Sequence, residues 1–318
     1  MRDPVELIQW HDQPSARKDD TSSRVLVHAM TGFVDAGQVQ GSAAARLMAG
    51  EPRLLATIDA DEVFDYRARR PRMTFVVDHF AAIELPQIAL YELKDDAGRL
   101  FWLLTGPEPD VQWQRFVAAV IHLIDALDID LTVSLAGIPW PTPHTRPTGV
   151  TWHGTDRELL DRQPAMLGNI DVPGHIGGLL ELTLADAGRS ALGIAAHVPH
   201  YVAAVDYPRA TMALLESLGE ATGLVVDTEE LLPGAVKVEG EISSQVADSS
   251  EFVSVLAALE QQYDQMSAMR AQADATTREV APDGHVPSGE EIAAAVEQFL
   301  ADMSQNPPNE ADGSGPGR

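Results

Sequence analysis

Residues 131–149 combine the pattern of a buried strand with that of a stiff loop, and they constrain the fold more than any other stretch. The run from 131 to 138 is largely apolar, as in strands buried on both faces of a sheet, and three prolines follow within five residues. Proline fixes its own φ and pushes the preceding residue toward extended conformations, so Trp140, Thr142 and Arg146 have little backbone freedom. The loop either forms a binding edge or only covers the edge of a sheet.

Strands and helices alternate around this stretch, which predicts an α/β fold. Residues 24–30 predict a strand, 31–37 a glycine-containing loop and 38–49 an Ala-rich helix. The other predicted elements are short strands at 53–59 and 73–77, a β-hairpin of residues 86–93 and 99–105, a helix at 111–127 capped by Asp110, a helix from 174 to about 188, a second buried strand at 191–198, a helix from Pro208 and a short helical piece from Asp227.

The carboxyl-terminal part has a different pattern. Apolar residues between Phe252 and Met269 recur at steps of three and four, which predicts an amphipathic helix of about six turns. A capping box predicts a second, striped helix at 288–304. Residues 305–318 are rich in Pro, Gly, Asn and Asp, and we expect them to be disordered.

Composition argues against several classes of function. The 318-residue chain has a formal net charge of −26, and because nucleic-acid binding needs clustered Lys and Arg, we expect no nucleic-acid partner. The chain has no cysteine, so it has no thiolate ligand or nucleophile, and a reducing compartment is compatible. No apolar run reaches the length of a membrane span and the amino terminus lacks a signal-peptide pattern, so we expect a cytoplasmic protein without membrane contact.

Acidic residues are concentrated toward the carboxyl end. Residues 227–318 carry 18 acidic and 4 basic side chains, which accounts for −14 of the net charge. The excess acid either keeps this part solvated or forms a contact with a basic partner.

Familiar catalytic and cofactor motifs are absent, since the sequence contains no GxGxxG, GxxxxGK[ST], HExxH or GxSxG. We therefore expect no cofactor and no metal. Four predicted strands end in loops with polar or proline residues, at 31–37, 105–110, 136–147 and 197–200. In an open α/β sheet, ligands collect at the carboxyl ends of strands, so these loops are expected to form the floor of any pocket.

The candidate ligand- or partner-binding residues lie in these loops. Asp35, flanked by Gly32 and Gly37, either caps the following helix or faces a ligand. His144 and Arg146 offer donors to an anion such as phosphate or a carboxylate, unless Arg146 pairs with a neighbouring acid. The full set of candidates is Gly32, Asp35, Gly37, Pro139, Trp140, His144, Thr145, Arg146 and His200.

Two aromatic features leave alternatives open. Trp140 is either cover for the core or an anchor at an interface. His197 and His200 have a loose metal-ligand spacing, but no carboxylate or cysteine accompanies them in the sequence, and we predict no zinc site there.

Six short motifs follow one another in a defined order. They are Gly32–Gly37, Gly106–Pro109, Ala136–Pro139 with Pro143–Pro147, Gly177–Leu182, Ala195–Tyr201 and Asp206–Ala210. In this order and spacing, across residues 24–245, the chain resembles the proteasome assembly chaperone 2 family and in particular its actinobacterial branch, whose members are largely uncharacterised.

The resemblance implies a three-layer α/β/α sandwich similar in fold to purine nucleoside phosphorylases, with a helical carboxyl-terminal appendage. The expected division is an amino-terminal docking segment and loop at 1–23, the family domain at 24–245, the appendage at 246–304 and the tail at 305–318. The resemblance also implies a homo-oligomer, with a trimer as the expected state. Eukaryotic relatives guide assembly of the proteasome α-ring and can use a carboxyl-terminal hydrophobic-Tyr-any motif, from which the ending Gly315-Pro-Gly-Arg318 departs.

Two functions fit these observations. The first is a non-enzymatic, oligomeric, assembly-chaperone-like module in which the proline-rich loop and the acidic helices contact a protein partner. The second is a phosphorylase- or hydrolase-like enzyme that binds a small anionic or nucleoside-type ligand, with Arg146 and His144 holding the anion. The second rests on similarity of fold, which does not by itself determine chemistry.

Overall fold

A computed structural model describes residues 2–15, 24–155, 157–160 and 169–280. Its strands are β1 (Ile8–Trp10), β2 (Val25–Thr31), β3 (Arg53–Ile58), β4 (Arg72–Val76), β5 (His79–Glu84), β6 (Ile88–Lys94), β7 (Leu100–Pro107), β8 (Leu131–Trp140), β9 (Val150–Gly154) and β10 (Ser190–Pro199). Its helices are α1 (Val39–Leu47), α2 (Ala60–Val63), α3 (Trp113–Leu127), α4 (Arg157–Leu160), α5 (Ile176–Asp186), α6 (Pro208–Thr222), α7 (Leu232–Ala247) and α8 (Ser250–Val280).

Within the described residues, eight strands form one mixed sheet in the order β1-β3-β6-β7-β2-β8-β10-β9. The central strands β7, β2, β8 and β10 are parallel to one another. β6 is antiparallel to both of its neighbours, and so are the edge strands β1 and β9 to theirs. The four parallel strands therefore end at the same side of the sheet, as the sequence predicted. We call this side the carboxyl edge, and its loops are 32–38, 108–112, 141–149 and 200–207.

The sheet is covered on both faces because its central strands carry apolar side chains on both sides. In β2, Val25 and Val27 pack in the cluster that contains α1 and α6, whereas Leu26 and Met30 pack in the cluster that contains α3 and α5. Buried residues on successive positions are the pattern of a strand between two helical layers. The predicted three-layer α/β/α sandwich is confirmed.

α7 is longer than predicted. The sequence suggested only a short helical piece after Asp227, but residues 232–247 form one 16-residue helix. Its side chains at Ala235, Val238, Ile242 and Val246 are buried or pack against the core. Their spacing of three and four residues is a helical stripe, so the signal was present in the sequence.

α3 begins at Trp113, and Asp110 does not cap it. Gln112, the residue before the helix, adopts a left-handed conformation with φ 58°. This turn directs Asp110 away from the helix, so that its carboxylate accepts the N–H of Asp65 at 2.9 Å and pairs with Arg69 at 2.6 Å. A tertiary contact has replaced the local cap that the sequence predicted.

Three strands were not anticipated, β1, β5 and β9. β1 pairs antiparallel with β3 at the opposite edge of the main sheet. β9 pairs antiparallel with β10 at the edge of the main sheet. β5 pairs with β4 in a separate two-stranded sheet whose residues are all exposed. Of its two strands, β4 was predicted at 73–77, whereas β5 was not, because residues 79–84 do not alternate between apolar and polar side chains.

The chain divides into two compact units, Met1–Tyr263 and Asp264–Arg318. The second is described only to Val280, as the continuation of α8, so the predicted helix at 288–304 and the tail at 305–318 lie outside the described residues. The predicted boundary at residue 246 falls in the last turn of α7. No helix in the described part of the chain is long and apolar enough to cross a membrane.

Candidate functional site

The loops of the carboxyl edge hold one another through backbone hydrogen bonds. Gly37 donates to the carbonyl of Ala203 at 2.8 Å and accepts from the N–H of Tyr207 at 3.0 Å, while Gly137 donates to the carbonyl of Val34 at 2.8 Å. Gly37 has φ 68°, a left-handed conformation that glycine adopts without strain. The loops that follow β2 and β10 and the end of β8 are therefore one connected structure.

Asp35 caps α1. Its Oδ1 accepts the backbone N–H of Gln40 at 2.7 Å, so this carboxylate serves one of the unpaired donors at the start of a helix. Burial raises the pKa of Asp35 to about 6, against the opposing effect of backbone hydrogen bonds from Gln40 and Gly41. The sequence left open whether Asp35 caps the following helix or faces a ligand, and the hydrogen bond to Gln40 is that of a cap.

We expect Asp35→Asn to stabilise the protein at neutral pH. The folded-state pKa of about 6 lies above the ordinary 3.8, so the folded state binds more protons and stability is lost as pH rises from about 4 to about 6. A difference of two pKa units corresponds to about 3 kcal/mol, which partial exposure reduces to about 1 kcal/mol. Asparagine keeps an acceptor for Gln40.

Urea unfolding of both proteins at about pH 4 and about pH 7 measures this effect. The variant should be more stable only at the higher pH. An equal gain at both values would contradict the assignment to Asp35.

His144 is buried and tied to two other elements. Its backbone N–H donates to the hydroxyl oxygen of Tyr201 at 2.8 Å, and its ring Nδ1 lies 2.8 Å from the same oxygen. Its ring Nε2 lies 3.0 Å from Oγ of Ser243 in α7. Burial lowers the pKa of His144, so the ring is neutral. Because the Tyr201 oxygen already accepts the backbone N–H, its proton points to Nδ1, and we assign the ring proton to Nε2.

Removing the Tyr201 hydroxyl should cost about 2 kcal/mol, because Tyr201→Phe leaves a backbone N–H and a ring nitrogen without partners. Tyr66→Phe is the matched control, since that hydroxyl bonds Asp61 at an exposed site. Thermal or urea unfolding gives the two values. A loss for Tyr201→Phe no larger than that of the control would show that the contact does not hold the loop.

Arg146 and Thr145 both contact Glu260 of α8. The Arg146 guanidinium lies 3.3 Å from Oε1 of Glu260, and the Thr145 hydroxyl donates to the same oxygen. Tyr263, one turn further along α8, donates to the carbonyl of Pro147 at 3.2 Å. The pairing of Arg146 with an acid, left open by the sequence, is thus the arrangement in the fold.

A cavity of ≈580 Å³ lies beside this loop. Besides Arg146, the cavity is lined by Arg209 of α6. The Arg209 guanidinium forms a bidentate pair with the carboxylate of Glu239 in α7, at 2.7 and 2.9 Å. Sequence reasoning did not single out Arg209, although it lies in the Asp206–Ala210 motif. The residues that line the cavity are His144, Thr145, Arg146, Pro147, Thr148, Arg209, Met212, Ala213, Glu216, Glu239 and Ser243.

The aromatic candidates lie at the ends of β8 and β10. Trp140, which follows the exposed Pro139, stacks on His197 with ring centroids 4.3 Å apart and an interplanar angle of 13°. His200 is exposed and packs edge to face against Tyr201. Within the described ranges, no group of three or more His, Asp or Glu is arranged to hold a metal ion.

Gly32 lies apart from the loop of residues 141–149. A Cβ at this position would come within 2.9 Å of the Cβ of Glu108. The edge therefore has two neighbourhoods, one at Gly32 and one at His144. Whether either binds a ligand stays a prediction.

Comparison with known proteins relates the whole arrangement to solved structures. A Mycobacterium tuberculosis protein of unknown function is 39% identical, with 84% of this chain and 92% of that chain covered and a TM-score of 0.79. A Corynebacterium glutamicum protein of unknown function is 35% identical, with coverages of 81% and 97% and a TM-score of 0.77. A Mycobacterium tuberculosis proteasome-assembly chaperone homologue is 28% identical, with coverages of 73% and 99% and a TM-score of 0.68.

No curated protein matches the sequence. The model of the PAC2 family matches residues 29–246. This range begins in the last part of β2 and includes β7, β8, β10 and the loops of the carboxyl edge. The match covers most of the chain and agrees with the fold, so this protein belongs to the PAC2 family.

Proposed function

We propose that this protein is a cytoplasmic, non-enzymatic, oligomeric interaction module of the assembly-chaperone kind. Membership of the PAC2 family and similarity to a proteasome-assembly chaperone homologue support a role in which the partner is a protein. The observation that carries the proposal is the hairpin formed by β4 and β5, which we call the β4–β5 hairpin. Its apolar side chains lie in solvent in the single chain.

The β4–β5 hairpin is apolar without being buried. The large exposed side chains on it and beside it are Met73, Phe75, Val76, Val77, Phe80, Ile83 and Leu85. A two-stranded hairpin alone is at best marginally stable in water, and contiguous exposed apolar surface marks interaction sites. The rings of Phe75 and Phe80 are in contact, 5.1 Å apart, and form an apolar pair that a partner could cover.

The tip of the hairpin points to the same conclusion. Val77 is 92% exposed and has φ 55°, a left-handed conformation that costs a non-glycine residue about 1–2 kcal/mol. A strained, exposed valine does not help a single chain to fold. It suits a tip whose side chain is buried by another molecule.

Charge favours a second copy of this chain as that molecule. Residues 67–72 at the base of the hairpin include four arginines, in a protein whose net charge is −26. Complementary charge steers association and selects partners. A hairpin that reaches the acidic surface of a neighbour makes a head-to-tail contact, which can close into the expected trimer.

The protein partner is proposed to contact the carboxyl edge. A groove of ≈340 Å³ lies there at the loop of residues 200–207, lined by apolar side chains that include Val202, Ile242, Phe252 and Val255. Acidic helices α7 and α8 form its walls. This surface suits a partner segment that combines apolar and basic residues.

Photo-crosslinking tests both contacts. Benzoylphenylalanine in place of Phe80 should crosslink this chain to a second copy, and in place of Phe252 to a different protein from the native host. The same group in place of Phe101, which is buried, is the control. The proposal would be contradicted if neither position gave crosslinks above the level of the Phe101 control.

The enzyme alternative has its own readout, since a ligand at 100 times its Kd stabilises a protein by about 2.7 kcal/mol. A thermal-shift screen with phosphate, nucleosides and nucleotides therefore distinguishes the two functions. A shift that disappears in Arg146→Ala would favour the enzyme.

A further inference from the structure

The β4–β5 hairpin has two different faces, although both of its strands are exposed along their whole length. From the base to the tip, its cross-strand pairs are Arg72–Glu84, Met73–Ile83, Thr74–Ala82, Phe75–Phe80 and Val76–His79. Ala81 has no partner in this register, so β5 contains one more residue than the part of β4 that it faces. One extra residue on one strand of an antiparallel pair is a β-bulge.

The bulge places Phe80 on the same face as Phe75. Side chains alternate between the two faces along a strand, so without the extra residue Phe75 would pair with Ala81 and Phe80 would lie on the opposite face. The ring centroids of Phe75 and Phe80 lie 5.1 Å apart at an interplanar angle of 75°. This edge-to-face contact is the one expected of two aromatic neighbours on one face.

One face of the hairpin is therefore apolar. It carries Met73, Phe75, Phe80 and Ile83, whose side chains are 50%, 57%, 66% and 47% exposed. The opposite face is mixed and carries Arg72, Thr74, Val76, His79, Ala82 and Glu84. Covering the apolar face removes hydrocarbon from water, whereas covering the mixed face would also remove charged groups from water, which costs free energy.

The edges of the hairpin are less suited to a partner than its apolar face. A free edge can add a strand through its backbone groups, but bulges, prolines and charged side chains disfavour such pairing. β5 contains the bulge at Ala81, and β4 begins at Arg72 directly after Pro71. A contact through the face is therefore favoured over the addition of a strand.

The base of the hairpin favours an acidic surface as the partner. Arg69 pairs with Asp110 of its own chain at 2.6 Å. Arg67 and Arg70 are exposed and form no ion pair within the described part of the chain. A second copy of this chain, with its net charge of −26, offers carboxylates that complement these two guanidinium groups.

We propose that the face formed by Met73, Phe75, Phe80 and Ile83 packs against a second copy of this chain, while the opposite face stays in water. This inference rests on the proposed function, in which the hairpin is an interface but neither face is distinguished. The bulge assembles the contact surface, because it brings the most exposed of the four side chains, Phe80, onto the same face as the other three.

Exchanging Phe80 with its neighbour His79 tests this assignment without a change in composition. In His79→Phe/Phe80→His, one ring moves from the apolar face to the opposite face. The dissociation constant of the oligomer should then rise about tenfold or more, as expected for the loss of one aromatic anchor. The matched control is Met73→Ile/Ile83→Met, which exchanges two side chains within the apolar face and should leave the constant unchanged. Analytical ultracentrifugation over a concentration series measures both.

Photo-crosslinking gives a second readout on the full chain. Benzoylphenylalanine in place of Met73 should crosslink to a second copy. In place of Thr74, the next residue of β4 and on the opposite face, it should give no more crosslinks than the same group at buried Phe101. Equal crosslinking from Met73 and Thr74 would overturn the proposal and would indicate strand addition, in which the partner lies near both faces.

Failure of this inference is distinguishable from failure of the proposed function. If replacement of Phe75 and Phe80 by serine dissociates the oligomer but the exchange of Phe80 with His79 does not, the hairpin is the interface and the assignment of its face is wrong. If neither variant dissociates the oligomer, the hairpin is not the interface and both proposals fail.

Discussion

Gly137→Ala is expected to lower the free energy of unfolding by about 3 kcal/mol, at the upper end of what overpacking costs. A Cβ at Gly137 would overlap the carbonyl oxygen of Ala36 and lie 3.1 Å from the Cβ of Val39. The obstacle on one side is backbone, which cannot rotate away as a long side chain can. The backbone hydrogen bond from Gly137 to Val34 would be strained by the same shift.

Gly50→Ala is the matched control, because nothing lies within 4 Å of its new Cβ. Urea unfolding of the two variants and the parent gives the comparison, with an unchanged slope as the sign that the unfolded state is not affected. If Gly137→Ala lowers the free energy of unfolding by less than about 1 kcal/mol, the backbone near Ala36 can move to accommodate the new Cβ. The carboxyl edge would then be less rigid than its contacts indicate.

Replacing Phe75 and Phe80 together by serine should convert the proposed oligomer into a monomer. Both side chains are more than half exposed in the single chain, so their loss removes apolar area from the proposed interface and not from the core. For the same reason the stability of the monomer should change by less than about 0.5 kcal/mol.

Light scattering coupled to size exclusion measures the mass of each protein. Phe252→Ser, at an exposed position in α8, should leave the mass unchanged. A parent protein that is already monomeric, or a double variant that retains the parent mass, would exclude the hairpin as the interface. Charge reversal at Arg67 and Arg70 should weaken association, less so at high salt.

Elements with strong internal patterns were predictable. β8 is a largely apolar run, and α3 has apolar side chains at helical spacing, so each was placed within two residues. β5 has no such pattern, because neither face of the β4–β5 hairpin is buried in the single chain. Asp110 was misassigned as a cap because Asp65 and Arg69, which it contacts, approach only in the folded chain.

The sequence by itself determined the α/β alternation, the four loops at one edge and the family, since these depend on local periodicity and on short motifs. Only the tertiary structure decided which residues those loops contact. Arg146 meets Glu260 and His144 meets Ser243, each about a hundred residues further along the chain. No local pattern encodes such pairs, because they form when α7 and α8 pack against the loop.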